Sequence, residues 1–489
     1  MKKQHSGALP DIFAQAMAAL PPFAADSVST AAALVLPDGA SAAAAGEAAG
    51  QRVAIALSGG LDSSALLHLA HRWARERGVT LHAFHVHHGL SPNADAWLAH
   101  CEQACAALGV AFAARRVQLQ DVAKSGTEAA ARKSRYAALG ALCREHDVHL
   151  LLTAHHLDDQ AETVLLQLLR GSGPAGLSGM DACNHAPDLL GNAGLLLARP
   201  LLQTARSQLE AYVAGQGIAY VNDESNDDPR YARNALRHQV MPALATAFPG
   251  FQARLSRSAQ HAQSAQRVLS ELAEQDLQAC LEADSIDVAR LRALGTDRAG
   301  NMLRQWFRVR KLGMPSTAWL AEMLAQLLEA REDAQLLVTH PDCHVRRHRD
   351  RLYLVPKLRE LEGTREDQFD DKPGQHFRWN GETSLAFPVY GGVLHFDEAE
   401  EGLDAEWLQK QLLTIEFRRG GERLKPAPNR PTRDLKHHYQ SLSIPAWERT
   451  RLPVVYIPGQ LLFAAGIGMD CHKIGAGANK RIVFRWMAE

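Results

Sequence analysis

The chain has 489 residues, and at roughly 100–200 residues per domain this length predicts about three domains. Hydrophobic residues make up 46% of the chain and charged residues 22%, which argues against an intrinsically disordered protein. The formal net charge is -1, but a neutral total does not exclude a polyanionic partner, because positive charge can be clustered locally.

The cysteines and the hydropathy pattern restrict the class of protein further. The seven cysteines are odd in number and scattered, with no Cys-x-x-Cys pair. This pattern argues against a disulfide framework, a zinc ribbon and an iron–sulfur cluster, and it predicts reduced thiols in a cytoplasmic protein. No run approaches the roughly eighteen apolar residues of a transmembrane helix, so we expect no membrane span.

Residues 1–50 are interpreted as an N-terminal extension. We expect a helix near Ile12–Leu20 and a low-complexity tail over Gly39–Gly46. Asp11 and Asp26 interrupt the apolar stretch that a signal peptide requires, so the extension is not interpreted as one.

From residue 52 to residue 170, strand and helix patterns alternate. The predicted strands cover 53–57, 81–86, 111–117 and 149–154, and the predicted helices follow the first strand and cover 95–108, 127–145 and 159–170. Alternation with short connections predicts an α/β fold with a doubly wound parallel sheet, which we assign to residues 51–245. Ligands of such sheets bind at the carboxyl ends of the strands.

The alternation stops after Pro242. Residues 251–356 have a mainly helical pattern, in which Ser316 is suited to cap a helix and two short strands are expected around Pro341. Residues 357–380 are interpreted as a charged linker. Residues 381–489, with short strands and Gly/Pro turns, predict a small C-terminal α+β domain.

The segment Ser58–Ser63, with the sequence Ser-Gly-Gly-Leu-Asp-Ser, joins the first strand to a helix expected to begin at Ser63. Two glycines let the backbone N–H groups approach a ligand, and the helix start adds a positive dipole end, so the loop predicts a pyrophosphate site. Asp62 would repel phosphate directly, and its expected role is to hold Mg²⁺. The alternative is a plain strand–turn–helix connection capped by serine.

This loop resembles that of the PP-loop ATP pyrophosphatases. The resemblance implies cleavage of ATP between its α and β phosphates, adenylation of a carbonyl oxygen and later displacement of AMP. The histidine-rich end of the second strand is expected to line the nucleotide pocket, although structural histidines are a serious alternative there. The residues assigned to ATP binding are Ser58, Gly59, Gly60, Leu61, Asp62, Ser63, His85, Val86 and His87.

Further segments resemble one family, the tRNA(Ile)-lysidine synthetases. They include His155–Thr163, Arg170–Leu177, Asp223–Asn226 and Arg418–Pro426, and the resemblance runs in order from residue 52 to residue 470. It implies that the wobble cytidine of an isoleucine tRNA with anticodon CAU is adenylated, that the ε-amine of L-lysine attacks it, and that AMP leaves. A homodimer is compatible with the sequence, which does not itself give the oligomeric state.

Three carboxylates, Asp158, Asp159 and Glu162, lie at a predicted strand end and the first turn of a helix. Positions 159 and 162 share a helix face, and acids are favourable near a helix N-terminus. They would hold Mg²⁺, orient the lysine ammonium or accept its proton, and the resemblance points to Asp159 and Glu162. Helix capping with solvated acids is the alternative.

Arginines are the candidates for contacting phosphate or the developing charge at the adenylated carbonyl. Arg132 and Arg135 share one face of a predicted helix, and Arg233 follows a polar turn, although an arginine on a helix surface is usually just solvated. The residues assigned to catalysis are Asp62, Arg132, Arg135, Asp159, Glu162 and Arg233.

The stretch from Arg418 to Lys436 holds seven basic and two acidic residues, a local net charge of +5. Such a stretch suits phosphate contacts that position RNA without reading its sequence, although by composition alone a solvated charge run fits as well. The resemblance identifies the stretch as a tRNA-binding segment. The residues assigned to tRNA binding are Arg418, Arg419, Arg423, Lys425, Arg433 and Lys436.

Three other interpretations remain open. A PP-loop tRNA thiolase needs catalytic or cluster-binding cysteines, whereas Cys101 and Cys105 are four apart on a predicted helix and are expected to pack in its core. A glutaminase-type synthetase needs a cysteine at position 2, where this chain has Lys2. A non-catalytic RNA-binding protein would not need the intact loop and the three carboxylates.

Overall fold

The computed structural model describes residues 8–22, 50–89, 91–118, 127–222, 232–329, 336–357 and 374–488. The chain divides into two compact units, Met1–Leu272 and Ala273–Glu489. The low-complexity tail predicted at 39–46, the segment 223–226 and most of the predicted linker lie outside the described residues. In the ranges given above, no helix is long and apolar enough to cross a membrane.

The first unit alternates strands and helices, as the sequence predicts. Its strands are β1 (Arg52–Ala56), β2 (Thr80–His87), β3 (Ala111–Arg116), β4 (Leu150–Leu152), β5 (Cys183–His185) and β6 (Leu196–Ala198). Its helices are α1 (Leu9–Ala18), α2 (Leu61–Arg77), α3 (Ala94–Leu108), α4 (Thr127–Glu145), α5 (Leu157–Leu169), α6 (Pro174–Leu177), α7 (Pro187–Leu190), α8 (Arg206–Gln216), α9 (Ala232–Ala235) and α10 (Met241–Ala247), with a π-helical turn at Leu236–Val240. Helix α11 (Phe251–Cys280) begins in the first unit, and its residues from Ala273 onward belong to the second.

The six strands form one sheet in the order β3-β2-β1-β4-β6-β5. All neighbouring pairs are parallel except β5 with β6, which makes the sheet mixed at one edge. The chain runs outward from β1 through β2 to β3 and then returns to the other side of β1 as β4. The carboxyl ends of β1 and β4 therefore flank the switch point, where α/β sheets bind ligands.

Helix α1 belongs to the core of the first unit. Its buried residues Leu9, Phe13 and Met17 recur every four positions, so they form one apolar stripe. This stripe packs in the same cluster as residues of α2 and α8, among them Leu69 and Leu209. The predicted N-terminal helix is present, and it covers one face of the sheet domain.

The second unit contains the remaining elements. Its helices are α12 (Val288–Ala293), α13 (Thr296–Val309), α14 (Thr317–Glu329), α15 (Ala405–Gln409), α16 (Leu435–Ser441) and α17 (Ala446–Arg449). Its strands are β7 (Leu281–Glu282), β8 (Ser285–Asp287), β9 (Leu337–Thr339), β10 (Cys343–His348), β11 (Arg351–Pro356), β12 (Gln375–Phe377), β13 (Ser384–Phe387), β14 (Gly392–Asp404), β15 (Leu413–Phe417), β16 (Arg423–Leu424), β17 (Arg433–Asp434), β18 (Pro453–Ile457), β19 (Gln460–Ala464), β20 (Gly468–Met469) and β21 (Gly475–Ala488).

The middle region is helical with a small antiparallel sheet. Ser316 caps α14 as expected, because its Oγ accepts the N–H of Trp319 at 3.2 Å. The sequence predicted two strands here, but the structure has three: a turn at Pro341 joins β9 to β10, and a second turn at Arg349 joins β10 to β11. The C-terminal region is a set of small antiparallel sheets around an aromatic-rich core, consistent with the predicted α+β domain.

The packing of α1 predicts a large effect of truncating Phe13, whose side chain is 1% exposed. We expect Phe13→Ala to lower the free energy of unfolding by about 3–5 kcal/mol, the usual cost of removing a buried phenylalanine side chain. Gln15→Ala on the exposed face is the control and should change it by less than about 0.5 kcal/mol. Denaturant unfolding measures both, and equal stability of the two variants would remove α1 from the core.

Candidate active site

The loop after β1 and the start of α2 form the first part of the site. Helix α2 begins at Leu61, two residues before the predicted start at Ser63, and Gly60 stands at its N-cap. Leu61, Asp62 and Ser63 are thus the first helical turn, whose N–H groups have no acceptor within the helix. This turn, with its positive dipole end, is suited to bind phosphate.

Ser63 holds the loop together. Its Oγ accepts the N–H groups of Ser58 at 3.2 Å and Gly59 at 3.1 Å, and it lies 3.0 Å from the carbonyl oxygen of Gly60. The loop is therefore preformed by its own serine. The N–H groups of Ser58 and Gly59 are engaged in this internal bonding, so the donors that remain for a ligand are chiefly those of the helix start.

Gly59 is the position at which the loop requires glycine. Its φ is +89°, and an added Cβ would lie 3.0 Å from Cys101 Sγ and 3.1 Å from Val221 Cγ2. Its carbonyl oxygen also accepts the N–H of Val221 at 2.9 Å. Both the backbone conformation and the close approach of neighbours therefore exclude a side chain here.

Asp62 points from the first turn of α2 toward the residues that follow β4. Its Oδ2 lies 3.6 Å from Nε2 of His156. Its Oδ1 is buried and has no hydrogen-bond partner among the described residues. A carboxylate oxygen with unused acceptor capacity fits Mg²⁺, which prefers oxygen ligands.

The described residues do not form a complete set of protein ligands for a metal ion. No group of three His, Cys, Asp or Glu side chains that could hold a metal ion occurs among the residues that the structure describes. A Mg²⁺ ion at Asp62 would therefore take most of its ligands from phosphate oxygens and water, which is the usual way in which proteins bind this ion with nucleotides.

His156 connects Asp62 with the carboxylates of α5. It caps the helix, because its Nδ1 accepts the N–H of Asp159 while its own backbone N–H donates to Asp159 Oδ2 at 3.1 Å. Its Nε2 lies 3.4 Å from Asp159 Oδ2. Burial alone would lower the pKa of His156, but Asp62, Asp159 and Asp158 outweigh it and raise that pKa.

Asp159 and Glu162 share one face of α5, and two arginines bind both of them. Arg233 donates to Glu162 Oε2 at 2.8 Å and to Asp159 Oδ1 at 3.2 Å. Arg237 donates to Glu162 Oε1 at 2.7 Å and to Asp159 Oδ1 at 3.3 Å. Burial would raise the pKa of Asp159, but His156 and Arg233 hold it below its ordinary value.

The cluster includes two residues that sequence reasoning did not select. Arg237 lies four positions after Arg233, on the π-helical turn, and this spacing on a helix was the available signal. Against the effect of burial, Glu162 and Asp159 raise the pKa of Arg237. His156 was detectable as a polar residue three positions before an acid, the pattern of a capping box.

Asp158 lies 3.8 Å from Nδ1 of His156 through its Oδ2, but it forms no salt bridge with Arg233 or Arg237 among the described residues. Its Oδ2 accepts the N–H of Arg206, the first residue of α8, at 2.9 Å, and its Oδ1 accepts Nε2 of Gln252 at 3.1 Å. Asp158 therefore anchors two other helices to the start of α5. Capping of α5 itself involves Asp159, whose Oδ2 accepts the backbone N–H of His156.

The two candidate arginines of α4, Arg132 and Arg135, are exposed, and each contributes to lowering the pKa of a histidine that follows a strand. Arg132 lies over the ring of Tyr136 at 5.2 Å, and its charge contributes to lowering the pKa of His155 below its ordinary value, an effect led by burial. Arg135 contributes in the same way to His88, whose pKa burial lowers to about 4. Within the described ranges, Arg132 forms no salt bridge with the carboxylate cluster.

The three residues predicted to line the nucleotide pocket at the end of β2 each have contacts within the protein. His85 is buried and its Nδ1 lies 2.9 Å from the carbonyl oxygen of Leu57, so it donates there and joins β2 to the loop. Nε2 of His87 lies 3.2 Å from Asp95 Oδ1. Val86 packs against a cluster of buried apolar residues in the first unit.

In the second unit, the six residues assigned to tRNA binding lie on and around the two-stranded ribbon β16–β17. They divide into two groups. Arg418 lies over Tyr439, Arg419 pairs with Glu416 at 2.9 Å, and Arg423 pairs with Asp434 at 3.6 Å. Lys425, Arg433 and Lys436 form no salt bridge within the described part of the chain.

The fold and the loop define the class of this protein. A family model of the PP-loop domain matches residues 39–244. Models of the TilS substrate binding domain and the TilS substrate C-terminal domain match residues 286–353 and 413–486. The first unit is thus a PP-loop ATP-binding domain, as the sequence motif predicted.

Comparison with whole proteins gives the family. A tRNA(Ile)-lysidine synthase from Ralstonia nicotianae is 42% identical over 440 residues, 88% of this chain and 92% of that protein. One from Burkholderia pseudomallei is 42% identical over 444 residues, 86% of this chain and 89% of that protein. The chain belongs to the tRNA(Ile)-lysidine synthase family.

Among solved structures, the U34-tRNA thiolase NcsA from Methanococcus maripaludis is 17% identical and aligns with 44% of this chain and 72% of its own, with a TM-score of 0.37. A TilS C-terminal domain is 22% identical and aligns with 24% of this chain and 98% of its own, with a TM-score of 0.20.

The loop geometry predicts different responses at its two glycines. Gly59→Ala should lower the thermal unfolding midpoint, because the new Cβ meets Cys101 and Val221 at a positive φ. At Gly60 the φ is -73° and an added Cβ meets nothing closer than 3.7 Å, so Gly60→Ala serves as the control with a midpoint near that of the unmodified protein. Equal midpoints for both variants would contradict the described loop.

Proposed function

We propose that this chain joins L-lysine to the wobble cytidine of tRNA(Ile) with anticodon CAU, in the cytoplasm, at the expense of ATP. The cytidine carbonyl oxygen attacks the α-phosphorus of ATP and pyrophosphate leaves. The ε-amine of lysine then attacks the adenylated carbon, its proton is lost, and AMP leaves. The reaction is a ligation that forms a new carbon–nitrogen bond.

One observation carries the proposal, namely the continuous line of polar groups from Asp62 through His156 to Asp159. Its two steps measure 3.6 Å and 3.4 Å. Asp62 lies at the phosphate-binding helix start, and Asp159 lies in the carboxylate pair. A site that activates a carbonyl with ATP and then admits an amine needs these two parts side by side.

In the first step, the helix start of α2 binds the pyrophosphate portion of ATP, and Asp62 is the residue that would hold Mg²⁺. A bound Mg²⁺ would neutralise negative charge on the phosphate oxygens. Arg132 and Arg135 are exposed on α4, and their positive charge suits contact with the phosphates of ATP.

In the second step, Asp159 and Glu162 bind the substrate lysine. Because His156 and Arg233 hold the pKa of Asp159 low, this carboxylate is a weak base, and we assign to it an anchoring role for the lysine cation. Arg233 and Arg237 now occupy both carboxylates. Lysine therefore enters by exchanging with a guanidinium, which becomes available to the adenylate phosphate.

Thiolation, the alternative chemistry among PP-loop tRNA enzymes, finds no support in Cys101 and Cys105, the two cysteines that share a helix at close spacing. Cys101 and Cys105 are fully buried, as expected from their helical spacing. Burial raises the pKa of Cys101 to about 12 and that of Cys105 to about 11, so neither thiol is an effective nucleophile near neutral pH.

The experiment that tests the proposal measures incorporation of radiolabelled lysine into CAU-anticodon tRNA(Ile), together with AMP and pyrophosphate release. We expect incorporation into this tRNA and none into elongator methionine tRNA. Asp62→Asn should lower kcat by at least about a hundredfold, because the Mg²⁺ ligand is lost while tRNA affinity is retained.

Each outcome of that assay is informative. AMP release without lysine incorporation would keep adenylation and remove lysine as the nucleophile. Full activity of Asp62→Asn would remove the proposed Mg²⁺ ligand. Gln15→Ala, on the exposed face of α1, is the control and should incorporate lysine at the rate of the unmodified protein.

For tRNA binding, we propose that Arg433 and Lys436, which have no salt bridge to any residue that the structure describes, contact phosphates. The Arg433→Ala/Lys436→Ala double variant should reduce the slope of log affinity against log salt by about two, since each lost phosphate contact removes about 0.9. Arg419→Ala, whose charge is already paired with Glu416, is the matched control and should change the slope by less than about one. Filter binding over a salt series measures the slopes, and equal slopes would exclude the ribbon from the interface.

A further inference from the structure

A shallow apolar groove of about 260 Å³ lies in the first unit beside the carboxylate cluster. Leu165 of α5, Leu244 and Phe248 at the end of α10, and Phe251 and Arg254 at the start of α11 line it. The proposed chemistry uses none of these side chains.

The groove and the site share helix α5. Leu165 lies three residues after Glu162 on α5, hence on the same face of the helix. Leu236, the neighbour of Arg237, belongs to the apolar cluster against which Leu165 and Leu244 pack. One helical turn of α5 thus separates Leu165 in the groove from Glu162, which Arg237 binds.

Phe248 makes the groove unusual. Its ring is 56% exposed, whereas Phe251, three residues later, is 5% exposed and closes the floor. The chain turns at this corner, where the N–H of Phe251 donates to the carbonyl oxygen of Phe248 at 3.0 Å and Gly250 has a φ of +75°. A tight turn thus holds an aromatic ring at the rim, facing solvent.

The chain segment that supplies most of the groove lining carries positive charge, which suits an anionic occupant. Residues 232–270 contain five arginines and no aspartate or glutamate. Arg233 and Arg237 are used by the carboxylate cluster, while Arg254 lines the groove and forms no salt bridge among the described residues. An exposed aromatic ring beside an uncommitted guanidinium is the combination that binds an unpaired base and its phosphate.

We infer that this groove binds an unpaired base of the anticodon loop next to the wobble cytidine, with Phe248 stacking on the base and Arg254 contacting its phosphate. The inference rests on the proposed function, because the site must hold the wobble cytidine. A base held at the rim of the groove would keep the anticodon loop of the RNA open while the wobble cytidine reaches the protein loop that follows β1.

The test uses the full-length chain and a fluorescently labelled RNA hairpin that copies the anticodon arm, without ATP or lysine. Phe248→Ala should weaken hairpin affinity by about fivefold to a hundredfold, the usual effect of losing one base–aromatic stack. Phe248→Trp should retain affinity, and Phe248→Leu, which keeps an apolar side chain, should not restore it. Val268→Ala, at another exposed apolar position on α11 about 25 Å along the helix, is the matched control.

Two results would overturn the inference, namely unchanged affinity of Phe248→Ala and full affinity of Phe248→Leu. If, with unchanged affinity, the unmodified protein is a dimer and Phe248→Ala is a monomer, the groove is a contact between two copies of the chain. Failure of the unmodified protein to incorporate lysine would instead remove the proposed function, and hairpin affinity would still test the groove. Thermal unfolding of each variant checks that it is folded.

Discussion

The burial of two carboxylates on α5 is the constraint on which the site depends. The side chain of Glu162 is 2% exposed and that of Asp159 is 14% exposed. Ionised groups at this depth are stable only when opposite charges and hydrogen bonds replace the lost water. Arg233, Arg237 and His156 provide this compensation from the two chain segments that flank the pair. The arrangement thus fixes the segment after residue 232 against the start of α5.

The order of the strands explains why the phosphate loop meets this pair. Strands β1 and β4 are neighbours although about a hundred residues separate them, and both end at the switch point of the sheet. Asp62 follows β1 and His156 follows β4, so two short connections place their side chains 3.6 Å apart. Gly59 lets α3 and Val221 pack directly on the loop. The geometry is therefore a property of the fold and not of long, adjustable loops.

Features that depend on the local pattern of residues could be predicted from the sequence. The bounds of α4 agree residue for residue, and the loop, the carboxylate face and the buried cysteines were identifiable from spacing. Strands β5 and β6 have three residues each, too few to show a period, so the mixed edge of the sheet was not predicted. Pairing across the chain was also invisible, because nothing local reveals that Arg237 meets Glu162, that Asp158 serves α8, or that Glu416 neutralises Arg419.

The charge balance of the cluster bears on the order of events in the proposed reaction. Free lysine carries a positive charge, and Asp159 and Glu162 are already neutralised by two guanidinium groups. Placing the ε-ammonium of lysine beside Asp159 and Glu162 adds a third cation to two carboxylates, so one guanidinium needs another anion. An adenylate phosphate nearby would accept one guanidinium and release its carboxylate for lysine, and the α-carboxylate of lysine is the other anion that the substrates supply. Adenylation before lysine binding is therefore one order of steps that keeps these charges paired.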